Sequence, residues 1–324
     1  MIIARSPLRI SLGGGGTDLP SFYKKFEGFL VAGAIDKYVF TSMIEPYKDG
    51  IFLKYSKIEK KKNIQTISHP IIRETLKKYD NKIKRIEITT LADIPSGTGL
   101  GSSGSFTNSL IKCLFAHNGK KISSYNLAEA SCDIEINKLK EPIGKQDQYI
   151  SSFGGLKKFY FRKDGKVKVE NLNIKKDTYL KLENNLLLFF TGYTRSASNI
   201  LKKQNSMSNK NNQKVLQNLI EVKKIGIESC KLLENSDLKE FGELMNSQWV
   251  KKNERSPEGT NKEIKFLYNH ALKNGAIGGK LVGAGGGGFL MFYCKDKKRL
   301  RNEMNKFKVQ ELKFNFDNRG TIII

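Results

Sequence analysis

The sequence has few of the residues that build disulfide frameworks and zinc sites. Its 324 residues include four cysteines, three histidines and one tryptophan. The cysteines lie far apart, form no C-x-x-C pair and stand mostly in apolar surroundings: Cys113, Cys132, Cys230 and Cys294. We therefore expect reduced cysteines in the core and neither a zinc site nor a disulfide framework. The histidines are equally scattered, which favours structural or exposed roles over catalysis: His69, His117 and His270.

Long apolar runs are also missing. No stretch approaches the roughly 18 apolar residues that a transmembrane helix needs. The first residues, MIIARSPLRISLGGGG, contain too short an apolar run for a signal peptide and no cleavage-site pattern. We expect a cytoplasmic protein with no membrane contact, and its length suggests about two domains.

Positive charge is abundant, but its distribution argues against nucleic-acid binding. The net charge is +25, from 57 lysines and arginines against 32 acidic residues. Lysines are spread along the whole chain, and only 57–62 and 295–301 form basic runs. Aromatic residues do not alternate with these runs as they do in stacking platforms. We expect solvated basic faces, whose field would help to attract phosphorylated substrates.

Residues 95–108, PSGTGLGSSGSFTN, form a glycine-dense turn that leads into the apolar segment 109–116. The alternation of apolar and polar residues before it, at 84–95, predicts a strand, and a helix is expected at about 102–117. Glycines 97, 99 and 101 allow backbone N–H groups to converge on an anion at the start of that helix. The segment therefore predicts a phosphate site, although a glycine-rich turn capping an ordinary helix would look similar.

Three named motifs are compared for this loop. A Walker A loop fails because no lysine follows the glycines, and a dinucleotide fingerprint lacks the acidic residue expected near Ser124. The third pattern, P-x-x-x-G-L-G-S-S, is complete and resembles the central nucleotide loop of the GHMP kinases, the superfamily of galactokinase, homoserine kinase and mevalonate kinase. The resemblance implies ATP contacts along this loop, at Pro95, Gly97, Gly99, Leu100, Gly101, Ser102, Ser103 and Gly104.

The beginning of the chain resembles the first motif of the same superfamily. Residues 2–12 predict a strand pair or an interrupted strand, which breaks at four consecutive glycines in PLRISLGGGGTDLP, 7–20. The spacing from Arg9 to Asp18 matches galactokinase-like members, which implies a sugar-binding role for Asp18 rather than a turn cap alone. Those members carry Glu and His where this chain has Gly15 and Gly16, so we expect a roomier site for a longer or phosphate-bearing substrate.

A carboxylate is predicted inside the helix at 123–140. At about 100° per residue, Glu135 falls on a face made largely of small and apolar side chains, so it needs a partner. The resemblance implies that Glu135 and Ser103 hold a Mg²⁺ ion that enters with ATP. A pair with Lys138 is the alternative.

The segment IGKQDQYISSFGGL, 143–156, contains G-x-x-D-Q and resembles the catalytic segment of the superfamily. The resemblance assigns Asp147 the catalytic role, accepting or orienting the proton of the acceptor hydroxyl. Arg9 would balance charge on the transferring phosphoryl group. Without the flanking motifs, Asp147 would be interpreted as a turn residue.

The pattern changes after about residue 180. Residues 182–194 predict a strongly apolar strand, and mainly helical segments follow to about 275, so we expect domains at 1–183 and 184–324. Arg195 is a candidate contact for a substrate phosphate, although a surface arginine would look the same. The glycine-rich segment KLVGAGGGGFLMFYC, 280–294, resembles the third motif and would otherwise be interpreted as a hairpin turn.

Together the motifs follow the family order over most of the chain. The resemblance implies an α+β fold with an N-terminal domain like ribosomal protein S5 domain 2, a ferredoxin-like C-terminal domain, and an active site between them. It also implies a kinase that uses ATP and Mg²⁺ on a small-molecule sugar phosphate. The implied substrate contacts are Gly14, Gly15, Gly16, Thr17, Asp18, Arg195, Gly285 and Gly286.

Within the superfamily, the forms of the first, catalytic and third motifs resemble those of the heptose 7-phosphate kinases. That branch implies phosphorylation of an anomeric hydroxyl to a 1,7-bisphosphate for GDP-heptose synthesis. A galactokinase-like or fucokinase-like sugar kinase is the alternative, and so is a non-catalytic sugar sensor or nucleic-acid binder on the same fold. Because Arg9, Ser103, Glu135 and Asp147 are all present, we favour the enzyme.

Overall fold

The computed structural model describes residues 1–193, 201–202, 204, 206–208, 212–255, 261–283 and 285–324. Arg195 lies outside these residues. The strands are β1 Ile2–Gly13, β2 Gly28–Ile44, β3 Gly50–Lys54, β4 Ile58–Lys61, β5 Arg85–Ala92, β6 Leu156–Phe161, β7 Val167–Asn171, β8 Leu186–Phe190, β9 Ala276–Leu281, β10 Phe289–Cys294, β11 Glu311–Leu312 and β12 Ile322–Ile323. The helices are α1 Pro20–Phe26, α2 Pro70–Tyr79, α3 Ser102–His117, α4 Ser124–Cys132, α5 Gln146–Phe153, α6 Lys176–Asn185, α7 Gln213–Asn235, α8 Leu238–Arg255, α9 Lys262–Lys273 and α10 Lys297–Asn305.

A large sheet forms the first half of the molecule. Its strands follow the order β12-β1-β2-β5-β3-β4, and β6 and β7 extend it from β2. Every pairing is antiparallel except β3 with β5, which is parallel. The last strand of the chain, β12, thus pairs with the first strand, β1, in the same sheet.

The first strand is a single strand, so of the two predicted alternatives the strand pair is wrong, while the interruption corresponds to a shift in register. β1 runs from Ile2 to Gly13, and its pairing with β2 shifts register between Pro7 and Leu8. Proline has no N–H to donate to the ladder, and a bulge at this point accommodates it without ending the strand. β1 therefore carries Arg9 from the sheet directly to the glycine turn.

A second, smaller sheet has the ferredoxin-like arrangement that the sequence predicted. Its order is β11-β8-β10-β9, all antiparallel, and helices connect β8 to β9 and β10 to β11. The strand expected at 182–194 is shorter than predicted: it starts at Leu186 because α6, which buries Leu182, occupies the residues before it. The predicted boundary after 183 falls in the last turn of α6.

The two sheets share one hydrophobic core. Leu8 and Leu12 of β1 belong to the same buried cluster as Leu188 of β8 and Met291 of β10. Helix α7 packs against β1 and β2 from the other half of the chain. Buried apolar contacts therefore join the two halves of the molecule.

The four cysteines are all buried and unpaired, as the sequence predicted. Over the described ranges, histidines, cysteines and acidic residues form no group of three or more that could hold a metal ion by themselves. No helix in the part of the chain that the structure describes is long and apolar enough to cross a bilayer.

Candidate active site

The loop between β5 and α3 has the predicted geometry. Helix α3 covers Ser102–His117, the range expected from the sequence, and Gly101 caps it with φ 80° and ψ 25°. A side chain at position 101 would be strained in that left-handed conformation, which glycine adopts freely. The first residues of α3 line a cavity together with this loop, so the free N–H groups at the start of the helix lie beside that cavity.

The nucleotide loop is packed against the first strand and helix α5. The backbone N–H of Arg9 donates to the carbonyl of Leu100 over 2.9 Å. A Cβ at Gly101 would lie 3.1 Å from Arg9 Cγ and 3.2 Å from Asp147 Cγ. Leu100 itself is fully buried in the core, and neither it nor Pro95 lines the cavity. Leu100 and Pro95, both predicted as ATP contacts, therefore support the conformation of the loop from the side that does not face the cavity.

Arg9 and Asp147 form an ion pair at the cavity wall. Arg9 Nε donates to Asp147 Oδ1 over 2.8 Å, and Arg9 Nη1 donates to the carbonyl of Gly99. Gln146 Nε2 also donates to Asp147 Oδ1, over 3.1 Å. Asp147 lies in the first turn of α5, not in an irregular turn. The side chain of Arg9 is only 6% exposed and that of Asp147 is 29% exposed, so the carboxylate is the partner open to a ligand.

Asp18 is held by backbone donors at the end of the glycine turn. Its Oδ2 accepts from the N–H of Gln146 over 3.1 Å, and its Oδ1 accepts from the N–H of Gly16 over 3.2 Å. Burial raises the pKa of this carboxyl, while the N–H of Gln146 opposes the shift. A Cβ at Gly144 would lie 1.9 Å from Asp18 Oδ2, so glycine at 144 is what admits the carboxylate.

The other residues of the glycine turn differ in their exposure to the cavity. Gly15 and Gly16 line it, as Asp18 does, whereas Gly14 and Thr17 do not. Thr17 Oγ1 donates to the carbonyls of Gly14 and Phe29, each over 2.8 Å. Thr17 thus holds the turn on β2, and its hydroxyl is directed into the protein.

Glu135 lies in a π-helical turn, Asp133–Lys138, that continues α4. It is 1% exposed, and burial raises its pKa to about 7. Ser103 Oγ donates to Glu135 Oε2, and Gln148 Nε2 donates to Oε1 over 2.8 Å. Among the described contacts there is no ion pair to Lys138, the alternative partner.

The surroundings of Glu135 fit a magnesium ion. The carboxylate faces the cavity without a cationic partner in the described part of the chain, and the hydroxyl of Ser103 adjoins it. Mg²⁺ prefers such hard oxygen ligands and keeps several waters or phosphate oxygens besides. Ser103 and Glu135 are therefore the residues that would hold it.

The third glycine loop connects β9 to β10 and contacts the nucleotide loop. A Cβ at Gly283 would lie 2.5 Å from Gly99 Cα, and one at Gly288 would lie 2.0 Å from the carbonyl oxygen of Thr98. The segment is thus both a hairpin connection and one of the contacts between the two halves. Gly283 lines the cavity, whereas Gly285 and Gly286, the predicted substrate contacts, do not.

These elements enclose a cavity of about 720 Å³. One end, beside the nucleotide loop, is lined by aromatic and apolar side chains: Tyr55, His69, Leu91, Phe106 and Leu139. The other end, beside the glycine turn, is lined by polar and basic side chains: Ser11, Gln204, Gln248, Lys252, Arg255 and Lys280. The cavity therefore has an apolar end and a cationic end, with the Arg9–Asp147 pair on its wall.

The sequence interpretation missed the cationic residues. Helix α8 buries Phe241, Met245 and Trp249 in the core, and Lys252 follows Trp249 by only three residues. Lys280 opens the third motif inside an otherwise apolar strand. A lysine on a core-facing strand was the available signal, because lysine is almost never buried without a reason.

Two family models match this chain. Residues 67–155 match the GHMP kinases N terminal domain, and residues 230–310 match the GHMP kinases C terminal domain. The matched ranges include the nucleotide loop, Glu135, Asp147 and the third glycine loop.

Individual relatives extend the likeness over nearly the whole chain. It is 29% identical to the D-glycero-alpha-D-manno-heptose 7-phosphate kinase of Campylobacter jejuni, covering 92% of this chain and 91% of that protein. It is 26% identical to the L-fucokinase/L-fucose-1-P guanylyltransferase of Bacteroides fragilis, covering 91% of this chain and 35% of that protein.

A solved structure confirms the two-domain fold. The crystal structure of a D-glycero-D-manno-heptose 1-phosphate kinase from Bacteroides thetaiotaomicron superposes with a TM-score of 0.83 at 22% identity, covering 100% of this chain and 99% of that one. The mixed helix-and-sheet arrangement predicted from the sequence is therefore correct. Because the two family models together match more than half of its residues, this chain belongs to the GHMP kinases, ATP-dependent phosphotransferases that act on a hydroxyl acceptor.

Proposed function

We propose that this GHMP kinase phosphorylates the anomeric hydroxyl of a D-glycero-D-manno-heptose 7-phosphate, giving the 1,7-bisphosphate. The observation that carries the proposal is the position of Asp147, paired with Arg9 between the nucleotide loop and the turn that presents Asp18. The relative from Campylobacter jejuni, whose name states this acceptor, supports the choice of sugar.

ATP would bind with its phosphates at the start of α3. The N–H groups of the loop and the helix dipole favour the negative charge there, and the apolar end of the cavity offers Tyr55, His69 and Phe106 to the base. Ser103 and Glu135 would hold Mg²⁺ beside the phosphates. When bound, that ion neutralises charge developing on the phosphate oxygens.

The sugar would bind at the opposite side of Asp147. Asp18 offers carboxylate oxygens to two neighbouring hydroxyls in a site that excludes most water. Gly15 and Gly16 leave room beside it for a seven-carbon chain. The acceptor hydroxyl would then point at Asp147 Oδ2, because Oδ1 already accepts from Arg9 and Gln146.

In the transfer, the acceptor oxygen forms a bond to the γ-phosphorus while the bond from that phosphorus to the bridging oxygen of ADP breaks. Asp147 accepts or orients the proton of the hydroxyl, and Arg9 stabilises the charge on the transferring group from the same position. Most of the rate enhancement would come from this positioning, as is usual for phosphoryl transfer.

A panel of acceptors tests the proposal. The purified protein is incubated with Mg-ATP and heptose 7-phosphate, unphosphorylated heptose, mannose, galactose or fucose, and ADP release is measured for each. Phosphorus NMR of the product should show a second phosphate coupled to the anomeric proton. We expect the highest kcat/KM for heptose 7-phosphate.

Two results would contradict the proposal. A higher kcat/KM for galactose or fucose would favour the galactokinase-like or fucokinase-like alternative instead. No acceptor-dependent ADP release with any sugar, from protein whose fold is verified by circular dichroism, would favour the sugar sensor.

A further inference from the structure

Three basic side chains converge at the cationic end of the cavity. Lys252 and Arg255 lie on the last turn of α8, and Lys280 lies on the neighbouring strand β9. All three line the cavity, and Lys280 is only 6% exposed. Within the described ranges, none of them forms an ion pair with a carboxylate.

The hydrogen bonds of this cluster go to neutral acceptors. Lys280 Nζ donates to Gln248 Oε1 over 2.6 Å. Lys252 Nζ donates to the carbonyls of Leu281, over 3.0 Å, and Gly283, over 2.5 Å. These bonds fix where the ammonium groups point, but they leave both positive charges without a counter-charge.

The guanidinium of Arg255 also donates its hydrogen bonds to neutral acceptors. Its Nε donates to Gln204 Oε1 over 3.2 Å, and its Nη1 donates to Asn218 Oδ1 over 2.8 Å. Two side-chain amides therefore orient the guanidinium, and its Nη2 makes no hydrogen bond within the described part of the chain. A guanidinium presents paired donors that match the oxygens of a phosphate.

Burying like charges together is costly. Burial lowers the pKa of Lys280 to about 7, and the nearby Arg9 contributes to that shift. Burial also lowers the pKa of Lys252 well below its usual range, with Arg255, Lys280 and Arg9 adding to the effect. An anion bound among these groups would offset the repulsion and favour the protonated forms of both lysines.

Two further donors in the cavity lack a partner among the described residues. Ser11 Oγ and Gln204 Nε2 are buried and make no hydrogen bond to a described residue. Both side chains are 6% exposed, and both line the cationic end of the cavity. Because buried polar groups are nearly always satisfied, these donors indicate a missing acceptor.

Arg255 and Gln204 adjoin the glycine turn that holds Asp18. Gln146, the neighbour of Asp147, donates to one oxygen of Asp18, and Gly16 donates to the other. A Cβ at Gly16 would in turn lie 3.4 Å from Arg255 Nη2 and 3.3 Å from Gln204 Nε2. A sugar on Asp18 with its reacting hydroxyl at Asp147 would extend its far end toward Arg255.

We propose that Lys252, Arg255 and Lys280, with Ser11 and Gln204, bind the phosphomonoester that the acceptor carries at the end opposite to its reacting hydroxyl. This inference rests on the proposed function, which supplies an acceptor of that kind. It makes the cluster the determinant of specificity for a phosphorylated over an unphosphorylated sugar. A phosphate of the nucleotide could bind the same groups. The experiment below distinguishes the phosphate of the acceptor from that of the nucleotide.

The experiment compares two acceptors that differ only in the phosphate, heptose 7-phosphate and heptose. Wild type, Arg255→Gln, Lys252→Gln and Lys280→Met are assayed on both, and KM for ATP is measured in parallel. Lys239→Gln is the matched control, because Lys239 lies on the same helix with its side chain 61% exposed. Circular dichroism verifies that each variant is folded.

We expect each cluster variant to lower kcat/KM for the sugar phosphate roughly ten- to hundredfold, which is the worth of a charged hydrogen bond. That loss should exceed the loss on heptose by about tenfold or more, and KM for ATP should stay within about twofold of wild type. Equal losses on both acceptors would overturn the proposal. A raised KM for ATP with no discrimination between acceptors would assign the cluster to the nucleotide.

Proton uptake gives a second measurement that does not depend on turnover. Binding of heptose 7-phosphate without ATP is followed by calorimetry at pH 7.5 in buffers of different ionisation enthalpy. Since the pKa of Lys280 is about 7 in the free protein, an anion beside it should draw protons from the buffer. Uptake should decrease in Lys280→Met, with Lys252 accounting for any remainder, and uptake unchanged in that variant would contradict the proposal.

Failure of this inference differs from failure of the proposed function. A wild-type enzyme that phosphorylates heptose and its 7-phosphate equally well would remain a sugar kinase and would overturn only the phosphate pocket. If wild type phosphorylates no heptose, the proposed function fails, and binding of inorganic phosphate decides the pocket. Binding that Arg255→Gln weakens would support it, and binding that is absent or unaffected would reject it.

Discussion

Arg9 Nε and Asp147 Oδ1 lie 2.8 Å apart although 138 positions separate the two residues in the sequence. The pair forms because β1 and α5 pack around α3, and Gly101 leaves no side chain between them. It brings a cation and a carboxylate to the place where the nucleotide loop approaches the glycine turn that holds Asp18. This is the meeting of distant segments that the sequence motifs required.

The role of Asp147 is tested by Asp147→Asn. Asparagine keeps the volume and one oxygen for Arg9 but cannot accept the hydroxyl proton. We expect kcat to fall by about 10²- to 10⁴-fold, while the dissociation constant for ATP, measured by calorimetry, changes by about twofold at most. Asp49→Asn is the matched control, because that side chain is 87% exposed. Undiminished turnover would reject the catalytic role.

The role of Glu135 is tested by Glu135→Gln. Glutamine preserves the shape and can still accept from Ser103, but the charge that attracts Mg²⁺ is gone. We expect the Mg²⁺ concentration for half-maximal activity to rise about tenfold or more at fixed ATP, since an ionic oxygen ligand is lost. Glu228→Gln, an exposed change on α7, should leave it unaltered. A metal profile identical to wild type would show that Glu135 is not a ligand.

The contact between the third glycine loop and the nucleotide loop is tested by Gly288→Ala. The new methyl group would lie 2.0 Å from the carbonyl oxygen of Thr98, so the backbone must shift. We expect the free energy of unfolding to fall by roughly 3 kcal/mol or more and the affinity for ATP to weaken, because overpacking adds to left-handed strain.

Comparison with Gly119→Ala separates the cost of left-handed backbone strain from the cost of the steric clash in Gly288→Ala. Gly119 also has positive φ, but nothing lies within 4 Å of its Cβ position. This change should cost only about 1 kcal/mol and leave ATP binding unaffected. Urea unfolding and calorimetric ATP titration measure both quantities. If the two variants behaved alike, the contact between the loops would contribute nothing.

Lys280 should destabilise the free protein in a pH-dependent way. Burial lowers its pKa from 10.5 to about 7, so the unfolded chain binds more protons between those values and stability rises with pH across that window. Below about pH 7 the free-energy cost of burying the protonated lysine is fully present. Lys280→Met removes the cost and should raise the free energy of unfolding at pH 7 by on the order of 3 kcal/mol.

Urea unfolding in phosphate-free buffer at pH 7 and pH 10 checks this prediction. The advantage of Lys280→Met over wild type should shrink at pH 10, where lysine in the unfolded chain is losing its proton. Lys239→Met, on the exposed side of α8, should show no such difference. A gain that is the same at both pH values would mean that the methionine stabilises by apolar packing alone.

Much of the fold and part of the site could be predicted from the sequence. The bounds of α3 were correct because a glycine turn followed by an apolar segment is a local signal, decided by backbone conformation within a few residues. The burial of Glu135 was correct because helical periodicity places its neighbours on one face. Where local signals compete, the prediction was less accurate: the continuity of β1 through Pro7 and the start of β8 at Leu186 were both missed.

The sequence by itself predicted which loops would contact phosphate-like ligands and determined the order in which they occur, because glycine patterns and helix starts act over short distances. Only the tertiary structure decided which side chains share the cavity. The packing of α8 against β9 brings Lys252, Arg255 and Lys280 together, and in the sequence they look like any other basic residues of a strongly basic chain. Charge repulsion and desolvation depend on distance and burial, and only the folded chain sets those quantities.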